Sequence, residues 1–129
     1  MKSIAVVAAV IADERGRILL TRRPQGSHMA GLWEFPGGKV EDDETNSEAL
    51  VRELREELGI EVETGPLLDR AVHTEPGLEI RLSFFTVSIV RGEPIALEGQ
   101  ETRWVGPDDM SRLPMPPADE EFVRSLRGR

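Results

Sequence analysis

Three carboxylates, Glu53, Glu56 and Glu57, lie in the stretch Gly38 to Ile60, GKVEDDETNSEALVRELREELGI. Glu56 is three residues and Glu57 four residues beyond Glu53, so on a helix all three occupy neighbouring positions on one side. Like charges one turn apart repel by a few tenths of a kcal/mol per pair, on the order measured for exposed helix pairs. A hard divalent cation such as Mg²⁺ removes that repulsion, because it takes oxygen ligands and is commonly held by a few carboxylates together with the phosphates of a substrate. The chemistry such a set serves is charge neutralisation and water activation at a phosphate bond. On the helix alone, a solvated surface laced by the i,i+4 pairs Glu48 to Arg52 and Arg52 to Glu56 accounts for the pattern equally well.

The element that must position these groups is announced at both ends. Thr45-Asn46-Ser47-Glu48 has capping-box form, and Gly59 supplies the stop, which predicts a helix from about Asn46 to Leu58. Leu50, Val51, Leu54 and Leu58 recur on one face that must pack on a core. If Leu54 marks the core direction, at about 100° per residue Glu57 falls roughly 60° away, Glu53 roughly 100° and Glu56 roughly 160°. The acidic arc therefore starts at the edge of the core and runs towards solvent.

The chain has 129 residues, enough for a single domain with a real core, and no repeat or low-complexity segment interrupts it. It has no cysteine, so disulfides, thiolate chemistry and zinc-thiolate sites are excluded. A net charge of -8 argues against affinity for a nucleic-acid polymer, although an acidic protein still binds a polyphosphate when metal ions accompany it. The longest apolar run, Ile4 to Ala12, is too short to span a bilayer, and no membrane association is expected. Its length and the preceding Lys2 would suit a signal-peptide core. The β-branched Val6, Val7, Val10 and Ile11 favour a strand instead, with the next segment as its hairpin partner, and a cytoplasmic protein.

In order, Ser3 to Ala12 reads as a buried strand and Asp13 to Gly16 as a turn. Arg17 to Arg23 returns as a second strand with one basic residue on each face, which either aims a guanidinium into a site or reaches solvent. A loop, Pro24 to Leu32, carries His28. Trp33-Glu34-Phe35 then runs into the glycine turn Pro36-Gly37-Gly38, where backbone can approach a ligand and where Phe35 either stacks on a planar base or fills the core. Beyond the helix, strands are expected at Ile60 to Val62, Leu67 to His73 and Leu78 to Val90, the last with Ile80, Leu82 and Phe84 on one face. Glu101 to Val105 reads as a further strand, Pro107 to Met110 as one helical turn, and Ala118 to Arg127 as a helix with Phe122, Val123 and Leu126 inward. Strands interspersed with two helices of this length imply an α/β sandwich around a mixed sheet.

Gly38, five residues, Glu44, seven residues, then Arg52-Glu53-Leu54-Arg55-Glu56-Glu57-Leu58-Gly59-Ile60 matches every fixed position of the Nudix box. The chain thus resembles hydrolases acting on nucleoside diphosphates linked to a further group. The resemblance implies the Nudix fold, an α/β/α arrangement of a mixed sheet between helices with the box as loop-helix-loop, spanning 1–129. It also implies Mg²⁺, with Mn²⁺ as substitute, held by Glu56, Glu57, the Gly37 carbonyl and Glu98 from a later loop. Glu53 either ligates or deprotonates the water. Arg52 orients a carboxylate, Lys39 reaches a phosphate, and Gly38, Glu44 and Gly59 shape the motif.

Similarity to the MutT-type 8-oxo-dGTP diphosphatases extends over nearly the full length. It takes in Thr21-Arg22-Arg23, His28-Met29-Ala30, Glu34-Phe35-Pro36-Gly37-Gly38-Lys39, Glu98-Gly99-Gln100 and Pro117-Ala118-Asp119. This makes Arg23 a phosphate and nucleotide contact, and His28, Phe35 and Asp119 nucleotide contacts. Asp119, where the best-known bacterial member has Asn, is an acceptor only when ionised. It suits the N1, N2 and N7 donors of guanine oxidised at C8, and also the N4 amine of cytosine. As a first-turn acid it equally favours the helix dipole. The expected activity is hydrolysis of 8-oxo-dGTP to the monophosphate and pyrophosphate, keeping the nucleotide pool clean. Two alternatives are a (d)CTP or modified-pyrimidine pyrophosphohydrolase and a non-catalytic nucleotide sensor, the latter disfavoured because the box is unbroken. The partner is a small nucleotide, and the protein is expected to be a monomer or weak dimer.

Overall fold

The β-branched run near the N-terminus forms β1 (Lys2–Val10), which lies at the centre of a computed structural model describing residues 1–27 and 29–127. Successive side chains of a strand point to opposite faces. Val7 and Ala9 join one apolar cluster, whereas Ala8 and Val10 join a second. Burial on both faces explains why this strand reads as a continuous apolar run rather than an alternating one.

Both edges of β1 are occupied. On one side lies β4 (Gly37–Lys39), antiparallel, with Val6 opposite Lys39 and Ala8 opposite Gly37. On the other side β6 (Leu78–Arg91) runs parallel, from Lys2 opposite Leu78 to Val10 opposite Thr86. The antiparallel strand β5 (Glu61–Glu75) completes a mixed sheet of order β4-β1-β6-β5.

That occupancy corrects the expected hairpin between the first two strands. The turn does form, with Asp13 N–H donating to the Arg17 carbonyl (2.9 Å) and Leu19 N–H to that of Ile11 (3.0 Å). A strand has only two edges, so β2 (Ile18–Arg22) leaves β1 after the bridge between Ala12 and Ile18. It builds a second, three-stranded antiparallel sheet of order β3-β2-β7 with β3 (Trp33–Glu34) and β7 (Glu101–Val105). Gly37 and Gly38, read as a turn, are strand residues. A Cβ on Gly37 would come within 2.0 Å of the Val7 carbonyl oxygen, so glycine lets this backbone lie against β1. The two strands expected at Ile60 to Val62 and Leu67 to His73 are one, because bulges between Thr64 and Asp69 absorb Gly65-Pro66.

The helix α1 (Asn46–Leu58) has the bounds read from its caps. Glu48 N–H donates to Thr45 Oγ1 (3.1 Å), Thr45 N–H donates to Glu48 Oε1 (2.8 Å), and Gly59 ends the helix at φ 68°. Ala49, Leu50, Leu54 and Leu58 bury against Val7 and Ala9 on one face of β1 and Ile11 just beyond it. After a single turn, α2 (Pro107–Met110), the C-terminal helix α3 (Pro117–Arg127) packs Phe122 and Val123 with Ala8, Val10 and Phe84 on the other face. Helices thus cover both faces, as the α/β/α reading requires, with the strands divided between two sheets. No described helix is long and apolar enough to cross a membrane.

Candidate active site

Glu57 lies where the helical geometry puts it, half in the core. Its Oε2 is fully buried and has no hydrogen-bond partner. Burial is the main cause that pushes this carboxyl up to about 9, followed by the charges of Glu53, Glu34 and Glu98. A buried acceptor without a partner costs about 1–3 kcal/mol, so such an atom is an anomaly unless something fills its place. Glu53 is the largest of these charges, which places its carboxylate beside that of Glu57.

Glu53, whose side chain is 18% exposed, is held from both sides. Arg52 Nη1 donates to its Oε1 at 2.8 Å. On the other side its carboxylate fills the space that a side chain on Gly38 would take, since a Cβ there would stand 2.4 Å from Glu53 Cδ. Arg52 is in turn fixed by a two-pronged contact to Glu44, Nε to Oε2 at 2.7 Å and Nη2 to Oε1 at 3.0 Å, and by donation to the Lys39 carbonyl at 2.9 Å. The Arg52 hydrogen bond holds the Glu44 carboxyl down at about 2. Glu41 N–H also donates to Glu44 Oε1 (2.9 Å), so Glu44 ties the loop before the helix to the helix itself.

The other expected ligands are placed less uniformly. Glu98 is exposed, yet close enough for its charge to act on Glu57. Glu56 is 54% exposed and turned along the helix to Arg52, 3.5 Å away. Among the described residues no three His, Cys, Asp or Glu side chains converge as a finished metal cluster. The fit to Mg²⁺ rests on three observations: an orphaned buried carboxylate oxygen, a glycine-lined space filled by a second carboxylate, and a donor set made only of hard oxygens. Glu57 and the Gly37 carbonyl would hold the ion together with Glu56 and Glu98 at the rim, and Glu53 would either ligate it or take the proton of the water.

Gly38→Ala is expected to separate geometry from fold. The atoms that a new methyl meets belong to the end of the flexible Glu53 side chain, so stability changes little while the carboxylate is displaced. A misplacement of about 1 Å near the reacting atoms costs about 10²-fold in rate. Turnover falling by that order with an unchanged melting temperature is the expected result, and wild-type turnover would show that Glu53 need not sit there.

Beside this cluster opens a cavity of about 430 Å³, within the range of small-molecule sites. Ile4, Val6, Ile80, Leu82 and Pro117 supply apolar walls, and Gly37 and Gly38 connect it to the carboxylates. Asp119 lies in its wall, 6% exposed, its Oδ2 accepting from Phe35 N–H at 3.2 Å. Burial pushes its carboxyl to about 7, against the Phe35 N–H bond, which lowers it. Asp119 is also a first-turn acid of α3, as the helix-dipole alternative has it, so the two readings hold together. Arg23 and Lys39 line the cavity too; Arg23 Nη1 donates to Glu34 Oε1 at 3.1 Å, and burial raises the Glu34 carboxyl despite that guanidinium.

Phe35 corrects the expectation of base stacking. Its ring is 3% exposed and meets Phe84 and Phe122 edge to face, at 5.8 and 5.2 Å. It fills the core and forms part of the cavity wall. His28 lies outside the described residues. Glu34, His73 and Glu75 also line the cavity and had not been singled out. For His73 the signal was available: a hairpin about Glu75-Pro76-Gly77 sets His73 opposite Ile80, on the face already assigned to Ile80 and Leu82.

Comparison with known proteins agrees with this geometry. A family model described as NUDIX domain matches residues 1–126. The CTP pyrophosphohydrolase of Escherichia coli K12 is 47% identical over 126 residues, covering 98% of this chain and 93% of its own. An 8-oxo-dGTP diphosphatase of Proteus vulgaris is 48% identical over 92 residues, 71% of this chain and 82% of its own. The solution structure of the E. coli ORF135 protein superposes with a TM-score of 0.85 at 42% identity, covering 99% of this chain and 91% of that one.

Proposed function

This chain belongs to the Nudix family as a nucleoside triphosphate diphosphatase, and we propose that its favoured substrate is 8-oxo-dGTP, cleaved to 8-oxo-dGMP and pyrophosphate. The observation that carries the base is Asp119, a buried carboxyl in the cavity wall, with the Glu34 and Glu75 carboxyls in the same lining. A wall rich in acceptors suits a base edge rich in donors. Guanine oxidised at C8 presents donors at N1, N2 and N7, whereas cytosine presents one exocyclic amine beside the N3 acceptor.

A pyrophosphate bond resists water because its oxygens are anionic, so the work of the site is positioning and neutralisation. Mg²⁺ supplies positive charge against the phosphates and acidifies water when bound. Glu57 offers it the orphaned oxygen. Glu53, oriented by Arg52 and braced against Gly38, is set either to ligate or to take the proton of the attacking water. Arg23 and Lys39, in the lining, provide the cationic contacts for the phosphates, while the cavity holds the base.

A second reading, a (d)CTP pyrophosphohydrolase, draws on the 47% identity to the E. coli enzyme of that name over 98% of this chain. It keeps every step and turns Asp119 towards the N4 amine. Side-by-side kcat/KM values with Mg²⁺ for 8-oxo-dGTP, dGTP, dCTP and CTP separate the two. Both pyrophosphate and the monophosphate should be measured. A preference of about a hundredfold for 8-oxo-dGTP over dGTP is expected, near the 1–3 kcal/mol of one satisfied base contact. Preference for the cytosine nucleotides would overturn the substrate and leave the reaction.

A further inference from the structure

The loop after β6 is built onto the end of α1. Ile95 N–H donates to the Leu58 carbonyl and Leu97 N–H to the Glu57 carbonyl, both at 3.0 Å, so the loop satisfies carbonyls that the helix end leaves open. One residue further, the attachment passes to a side chain. Gln100 Nε2 donates to the same Glu57 carbonyl at 3.1 Å, and Gln100 Oε1 accepts from Glu98 N–H at 2.9 Å. An amide nitrogen can only donate and an amide oxygen only accept, so these partners fix which way the group lies. Gln100 is buried, 9% exposed, and Gly99, at φ 79°, turns the chain so that the Glu98 N–H faces the side chain two residues on.

We propose that Gln100 is a positioning residue, whose amide locks the backbone of Glu98 to the backbone of Glu57 and so sets where the main chain carrying the Glu98 carboxylate stands beside Glu57. It rests on the reading of Glu57 and Glu98 given above. Glu57 stands on a rigid helix, whereas Glu98 is an exposed side chain on a loop without regular structure. The main-chain bonds hold residues 95 and 97, and the Gln100 amide carries the attachment to residue 98 itself. Groups that orient metal ligands are worth about 10- to 100-fold in affinity or activity although they touch no metal.

Gln100→Met keeps the side chain's length and bulk and removes both bonds. Gln100→Leu removes the same two bonds with a smaller apolar side chain, so it serves if the Met variant folds poorly. Mn²⁺ binding to the nucleotide-free protein, followed by electron paramagnetic resonance, should weaken by about 10-fold or more in both variants. With saturating Mg²⁺ and nucleotide, kcat should fall while the nucleotide KM stays near wild type, a split that general loosening of the fold would not give. Once Glu98→Ala has been introduced, Gln100→Met should cost nothing more. Wild-type Mn²⁺ binding in Gln100→Met, or losses that simply add in the double variant, would overturn the inference alone. Wild-type Mn²⁺ binding in Glu98→Ala would overturn the reading of the site and the inference with it.

Discussion

Glu57→Gln is expected to lower kcat by about 10³-fold or more with Mg²⁺ present, while the protein still binds nucleotide. Charge stabilisation by a bound ion is worth several kcal/mol, and each 1.4 kcal/mol is tenfold in rate. The substitution replaces one carboxylate oxygen by an NH₂ group that cannot hold a cation and leaves the shape unchanged. Loss of turnover is therefore not expected to come from unfolding. In the protein without metal the Glu57 carboxyl sits at about 9, raised first by burial and then by Glu53, Glu34 and Glu98, against an ordinary value of 4.5. The unfolded chain gives up this proton at lower pH than the folded one. The favourable contribution is thus complete below about 4.5 and is lost as pH rises through about 9. With a chelator, the melting temperature of the wild type should fall between pH 5 and pH 9, and the Gln variant, which has no proton to lose at position 57, should keep only the shallower fall below about pH 7 that the raised Asp119 carboxyl contributes. Mg²⁺ should restore the wild type most at the alkaline end, because it stabilises the charged form. Thermal melts at several pH values, with chelator and with Mg²⁺, test this beside the rate assay. Wild-type turnover in the variant would remove Glu57 from the site, and a flat wild-type curve in chelator would mean that its orphaned oxygen is solvated.

The parts legible in the sequence were those set by local rules. The capping residues Thr45 and Glu48 and the stop at Gly59 depend on contacts within a few positions, so the bounds of α1 followed from them. The angular order Glu57, Glu53, Glu56 from core to solvent needed only the helical period, and a Glu57 oxygen is buried, Glu53 is partly covered and Glu56 is the most exposed of the set. What was not legible depended on competition between distant segments. Whether β2 stays with β1 is decided by Gly37 to Lys39 and Leu78 to Thr86, which occupy both edges of β1. Likewise Phe35 could be a stacking ring or a core ring, and the stacked pair Phe84 and Phe122, which it meets edge to face, decides for the core. Gly38 is a glycine of the box by pattern, but its reason, the Glu53 carboxylate resting where its Cβ would be, joins a strand to a helix and has no local trace.

Asp119→Ala is expected to raise KM for the preferred base by one to three orders of magnitude, corresponding to about 1–4 kcal/mol for donors left unpaired in a closed site. The same change strips Phe35 N–H of its acceptor, so part of the loss would be structural. Asp119→Asn avoids this, because its carbonyl oxygen still accepts from Phe35 while its NH₂ presents a donor to the base. The pH profile adds a signature that a structural role would not move. Burial lifts the Asp119 carboxyl to about 7, so its neutral and ionised forms exchange across the working range. The ionised form is a pure acceptor and matches the donor edge of 8-oxoguanine. The neutral form carries one donor and matches the N4 amine beside the N3 acceptor of cytosine. The ratio of kcat/KM for 8-oxo-dGTP to that for dCTP should therefore rise from pH 6 to pH 8, and taking a ratio cancels the pH dependence of the shared hydrolytic step. In Asp119→Asn, which cannot titrate, the ratio should be flat. Equal increases in KM for every nucleotide in Asp119→Ala, or a ratio that stays flat in the wild type, would leave Asp119 a structural acceptor for the Phe35 backbone and move base selection to Glu34, His73 or Glu75 in the same wall.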